Sequence, residues 1–102
     1  MNLDQIREIA AEYRYAESPE ESDRDNFVAF IRPHARGRAK ILFYERTQYI
    51  ILVLSKRRYR TFRQMFPTNG KTAYQIVLSV FKNPNAYKKQ YKDGSNTLRS
   101  PR

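Results

Sequence analysis

The chain has no cysteine and no tryptophan, only three glycines and a single histidine among 102 residues. Without cysteine there is no disulfide scaffold and no common cysteine-based structural zinc site. Gly37, Gly70 and Gly94 stand far apart, so no glycine-rich loop is available to cradle a phosphate. One histidine, His34, and scattered acids give no metal-ligand spacing. Neither a metal nor a cofactor is therefore expected. Long apolar runs are missing too. The longest, Ile50-Ile51-Leu52-Val53-Leu54, falls far short of a bilayer span. Met1-Asn2-Leu3-Asp4-Gln5 lacks the basic start and apolar stretch of a signal peptide. The expectation is a soluble intracellular protein, cytoplasmic or associated with the nucleoid or nucleus, without integral membrane insertion.

Acidic residues are scarce over most of the chain. Residues 1–26 carry three basic and eight acidic side chains, a net of −5. The remaining 76 residues carry seventeen basic side chains against Glu45 and Asp93 alone, a net of +15. Such an excess gathers polyanions and speeds their encounter. Nucleic acid is the first expected partner, and an acidic protein surface is the alternative. Hydrophobic residues make up 40%, enough for a small core and too many for a wholly disordered chain. The length fits one domain over residues 1–92, with a flexible basic tail over 93–102. Oligomeric state is not legible.

Local patterns give an α+β order. Asn2 and Gln5 have capping-box spacing. Leu3, Ile6, Ile9, Ala10 and Tyr13 then share one helical face, predicting a helix over 3–15. Residues 16–26 hold no apolar side chain that could anchor them beyond Ala16, and read as an acidic linker. Phe27–Ile31, Lys40–Tyr44 and Tyr49–Leu54 read as three strands. The third, being continuously aliphatic, is expected to be central and buried on both faces. Ser55 has the character of an N-cap for a helix over 56–66, with Tyr59, Phe62 and Phe66 on one side. Pro67-Thr68-Asn69-Gly70 is a turn, and 71–82 is the clearest helix. Asn83-Pro84 ends that helix or starts a short one carrying Tyr87 and Tyr91. The expected fold is an N-terminal helix, a three-stranded antiparallel sheet and C-terminal helices on one of its faces.

Catalytic groups are poorly supplied. His34 has no orienting partner in sequence, and Glu45 and Asp93 do not pair. No catalytic residue is assigned. Binding groups are abundant. One cluster runs Arg32, His34, Arg36, Arg38 and Lys40, and a second runs Lys56, Arg57, Arg58, Tyr59, Arg60 and Arg63. The arginine fork matches phosphate oxygens, and lysine supplies a flexible point charge. In an antiparallel sheet the loop after strand one and the segment after strand three share one end, so the two clusters converge. Arg36, Arg38, Lys56, Arg57, Arg58, Tyr59, Arg60 and Arg63 are the candidate nucleic-acid contacts, with Tyr44 for base stacking. Tyr87 and Tyr91 are further stacking candidates, whereas Tyr13, Tyr49 and Tyr74 are assigned to the core or its edge. The acidic segment 17–25 supplies a counter-charge that could shield the patch.

Arg32-Pro33-His34 after the first strand and Ser55-Lys56-Arg57-Arg58 after the third, in the order helix, three strands, helix, are similar to the double-stranded-RNA-binding domain. That resemblance implies RNA contact through the Pro-and-His loop and the Lys-rich helix start. A sheet followed by a helix also looks like small sheet-based DNA readers. The expected function is binding of nucleic acid through phosphates, with RNA ahead of DNA. The alternatives are an adaptor or inhibitor for an acidic protein surface, and a basic ribonuclease resembling ribosome-dependent mRNA-cutting toxins.

Overall fold

A computed structural model describes residues 1–34, 37–56 and 61–87. The elements run α1 (Leu3–Glu12), β1 (Ala16–Asp23), β2 (Phe27–His34), β3 (Gly37–Tyr44), β4 (Tyr49–Lys56), β5 (Thr61–Pro67) and α2 (Ala73–Lys82). The fold is α+β, with an N-terminal helix, an antiparallel sheet and C-terminal helical structure, as the sequence predicts. The sheet, however, has five strands and not three, in the order β1-β2-β3-β4-β5.

The capping box forms as expected. Asn2 Oδ1 accepts from the Gln5 N–H at 2.9 Å, and Gln5 Oε1 accepts from the Asn2 N–H at 2.8 Å. The helix stops at Glu12, three residues early. Arg14 turns left-handed at φ 67°, and the Tyr15 N–H returns to the Ala10 carbonyl at 2.8 Å. That turn sends the chain into β1 and plants Tyr15 in the core.

Both added strands overturn specific expectations. Ala16–Asp23 is the edge strand β1, not part of a linker. An edge strand can be held by backbone hydrogen bonds to its neighbour and needs no apolar side chains. Pro19 is tolerated because an edge offers a side where no N–H is needed. A large bulge interrupts β1: five steps from Ser18 to Asp23 oppose two from Ala29 to Phe27. Bulges, charges and Pro on an edge also deter edge-to-edge association. The second correction concerns the helix expected over 56–66. β4 continues through Ser55 to Lys56, and Thr61–Pro67 is β5, pairing Ser55 with Thr61 and Ile50 with Phe66. Ser55 is therefore a strand residue, and no helix N-terminus stands there to receive a phosphate. With strands on both sides of the expected three, the order of the double-stranded-RNA-binding domain is not the order of this chain.

Alternation sorts the side chains. Phe30, Ile41 and Leu52 share one row, as do Phe43, Ile50 and Phe66, and all face the helices. Ile6, Ile9 and Ala10 of α1 and Val77, Val80 and Phe81 of α2 complete that core. Tyr15 stacks edge-on against Phe81 with ring centroids 5.0 Å apart, and its hydroxyl donates to the Phe81 carbonyl at 2.9 Å. Residues 84–87 form a short helical turn after α2. The opposite face carries a smaller cluster, with Ala29, Leu42 and Val53 buried and Phe27, Tyr44 and Ile51 half-buried. β4 is interior as expected, but it is not uniformly buried, since Tyr49 and Ile51 are half-buried on this second face.

Candidate functional site

Antiparallel register brings the β2–β3 and β4–β5 connections to one end of the sheet. His34 pairs with Gly37, Gly37 with Lys56, and Ser55 with Thr61. Arg38 and the backbone of Lys56 lie near this end. Arg36, Arg57, Arg58, Tyr59 and Arg60 lie outside the described residues, as do Tyr91 and the tail over 93–102; for Lys56 only the backbone is described.

The described basic residues divide between the two faces. Arg32 pairs with Ala39 and therefore points to the helix side. Its guanidinium lies 4.7 Å from the Tyr15 ring centroid and donates to the Tyr13 carbonyl at 3.2 Å. Arg32 thus serves the core edge. Arg38, Lys40 and Arg63 project from the other face. Lys40, Val53 and Arg63 occupy one row across β3, β4 and β5, and Arg38 sits one row nearer the basic end. Among the described residues, no helix packs on this face.

Glu21 comes from the β1 bulge and reaches two strands across to β3. Its carboxylate accepts from Arg38 at 2.9 and 3.2 Å, and from Lys40 Nζ at 2.9 Å. The bulge is held by its own hydroxyls: Ser18 Oγ accepts from the Glu21 N–H at 3.2 Å, and Ser22 Oγ accepts from the Ala29 N–H at 2.8 Å. The Lys40 hydrogen bond, with the charges of Lys40 and Arg38, lowers the Glu21 pKa. Glu21, from the acidic 17–25 segment, thus engages the cations of this face. Glu17 instead pairs with Arg7 of α1 at 2.8 Å on the helix side. No carboxylate pairs with Arg63 among the described residues.

Tyr44 lies six residues from Arg38 along β3, a span of about 20 Å at ~3.3 Å per residue. It stacks on Tyr49, its cross-strand partner, with centroids 4.6 Å apart, and meets Phe27 at 5.1 Å. Burial raises the Tyr44 pKa, Tyr49 and Asp23 add to the rise, and Arg63 opposes it. Arg63 and Asp23 are therefore both electrostatic neighbours of this aromatic row. Tyr49 belongs to the row and not to the core, because its parity on β4 is that of Ile51 and Val53. Tyr87 does the reverse. Its ring packs edge-on against Phe66 at 5.1 Å and its hydroxyl donates to Ser79 Oγ at 2.6 Å. Tyr74, expected in the core or at its edge, is 48% exposed on α2.

A depression of about 310 Å³ lies elsewhere, between the start of α1 and the β1–β2 and β3–β4 turns. Its charged lining mixes Arg24 and Arg46 with Asp25 and Glu45, and Glu45 already accepts the Leu3 N–H at 2.9 Å. Among the described residues no three His, Cys, Asp or Glu side chains gather as a metal site, and no helix is long and apolar enough to cross a membrane. Comparison of the chain with protein-family models, curated proteins and solved structures finds no match.

Proposed function

We propose that the protein binds nucleic acid through its phosphates, RNA ahead of DNA, using the basic end of the sheet and the adjoining uncovered face. The observation that carries this reading is the placement of Arg38, Lys40 and Arg63 on one face, next to the end shared by the β2–β3 and β4–β5 connections. Arg36, Lys56, Arg57, Arg58 and Arg60 belong to those connections or their margins in sequence. Phosphate neutralisation by several such cations supplies sequence-independent affinity that falls steeply with salt.

The test is a fluorescence titration with single-stranded RNA, duplex RNA and duplex DNA at several salt concentrations, followed by a gel of the recovered RNA. Tight binding at low salt, a steep salt slope and intact RNA fit the proposal. Weak binding to all three at low salt would refute it and point to a protein partner. Shortened RNA would favour the ribonuclease alternative.

A further inference from the structure

The face opposite the helices has more than charge. From its aromatic row to its basic end it presents Phe27, Tyr44 and Tyr49, then Ile51 and Met65, then Lys40 and Arg63. Met65 is 59% exposed, and Phe27, Tyr44, Tyr49 and Ile51 are half-buried. Apolar surface of this kind contributes nothing to gripping duplex phosphates. Bases that are already unstacked need an aromatic or apolar plane to rest on, with cations alongside to follow the backbone.

We infer that this face is a platform for single-stranded nucleic acid, with bases lying on Tyr44, Tyr49 and Met65 while the sugar–phosphate backbone runs toward Lys40, Arg38 and Arg63. The inference deepens the proposed phosphate binding and rests on it. Charge complementarity selects the occupant, because the cations border the apolar strip on its own face. Two carboxylates also stand on this side. Glu21 is engaged by Arg38 and Lys40, and Asp23, beside Tyr44, accepts from Asn26 Nδ2 at 2.7 Å. The strip between them carries none. The β3–β4 pairing fixes the stack, since Tyr44 and Tyr49 close the hairpin and Gln48, left-handed at φ 58°, donates its N–H to the Tyr44 carbonyl at 2.8 Å. The rings are thus held in place before a base arrives, which lowers the ordering cost of binding.

The absence of tryptophan makes a direct test available, because Tyr49→Trp introduces a sole indole reporter. This variant is titrated with oligothymidine of about ten nucleotides, an abasic strand of equal charge and a duplex of the same length. Oligothymidine should quench the indole and bind about five- to a hundred-fold more tightly than the abasic strand. Tyr44→Leu should remove most of that advantage and leave abasic binding unchanged, whereas Tyr44→Phe should retain it. Thermal melts of each variant confirm folding, and loss of the oligothymidine advantage counts only in a variant that melts cooperatively. Equal affinity for oligothymidine and the abasic strand, without quenching, would overturn the platform while leaving phosphate binding intact. Tighter binding to duplex, or indole quenching that tracks protein concentration without nucleic acid, would overturn it as well. No binding to any ligand would remove the underlying reading with it.

Discussion

Replacing Glu21 with Gln should strengthen nucleic-acid binding, although it breaks the ion pairs that join β1 to β3. Glu21 holds Arg38 and Lys40 through contacts of 2.9 Å each, and any phosphate approaching those cations competes with its carboxylate. The three side chains together carry a net +1, and the glutamine variant carries +2. A unit charge at about 4 Å is worth roughly 1 kcal/mol in water, so low-salt affinity should rise about fivefold. The plot of log K against log salt should steepen by about 0.7 to 0.9, the increment for one more phosphate neutralised. Fold stability should barely change. The side chains of Glu21, Arg38 and Lys40 are 29%, 44% and 22% exposed, and near-surface ion pairs contribute about 0–1 kcal/mol each. The assay is fluorescence anisotropy with a labelled single strand at 50 to 200 mM salt, roughly the range over which counterion release is resolved. Unchanged affinity and slope in a folded variant would refute the idea that phosphates use Arg38 and Lys40. The same geometry sets a pH dependence. Because the Glu21 carboxyl is held below its ordinary 4.5, its ion pairs stabilise the fold fully above that pH and are lost as pH falls through the depressed value.

Three further outcomes test the fold that positions this face. Burial pushes the Tyr15 hydroxyl up to about 12, against the pull of Arg32. The unfolded chain releases this proton near pH 10 while the folded chain keeps it, so about 2–3 kcal/mol of stability should disappear between pH 10 and 12. Urea melts of Tyr15→Phe should show a correspondingly weaker loss over that window; an identical pH profile would contradict the assignment. Phe81→Ala, which empties the contact with Tyr15 and Phe30, should cost about 3–5 kcal/mol by the same melts, and a loss below ~1 kcal/mol would mean that α2 is not seated as described. Arg14→Gly should raise stability by up to about 1 kcal/mol, because glycine removes the steric cost of a left-handed turn after α1. A lower melting temperature would argue against that turn.

The parts of the fold that were legible are those in which side chains decide the structure. β2, β3 and β4 announce themselves through Phe27–Ile31, Lys40–Tyr44 and Tyr49–Leu54, and α1 and α2 through spaced apolar residues on a helix face. β1 was invisible because an edge strand is held by backbone hydrogen bonds, and Glu17, Pro19 and Glu20 look like a linker to any test of hydropathy. The ambiguity of β5 has a different cause. Phe62 and Phe66 are four residues apart, a spacing that puts them on one side of a helix and equally on one side of a strand. Met65 does not break the tie, because an apolar residue beside Phe66 suits a helix face, whereas on β5 it points outward and is 59% exposed.

The candidate site was legible in its charges and less so in their directions. The expected convergence of the two basic segments rests on strand alternation; the structure pairs Lys56 with Gly37, while Arg36, Arg57, Arg58 and Arg60 lie outside the described residues. Arg32 and Arg38 looked equivalent in sequence, yet parity sends Arg32 to the Tyr15 ring and Arg38 to Glu21. Tyr49 joins the aromatic row by strand parity, and Tyr87 joins the core edge by packing on Phe66 after α2. The reach of Glu21 depends on a bulge of three extra residues, a feature that no residue pattern in 17–25 encodes on its own.

The most direct measurement of the central claim compares the salt dependence of single-strand binding in the wild type and in a Lys56/Arg57/Arg58/Arg60 quadruple alanine variant. If phosphates are held at the basic end, the slope of log K against log salt should become shallower by about 0.7 for each contact removed, up to roughly 3 for all four. Affinity at low salt should fall with it, in a variant whose melting temperature is preserved. Equal slopes and equal affinities in the two proteins would contradict the account, because the nucleic acid would then be bound without the cations proposed to hold its phosphates.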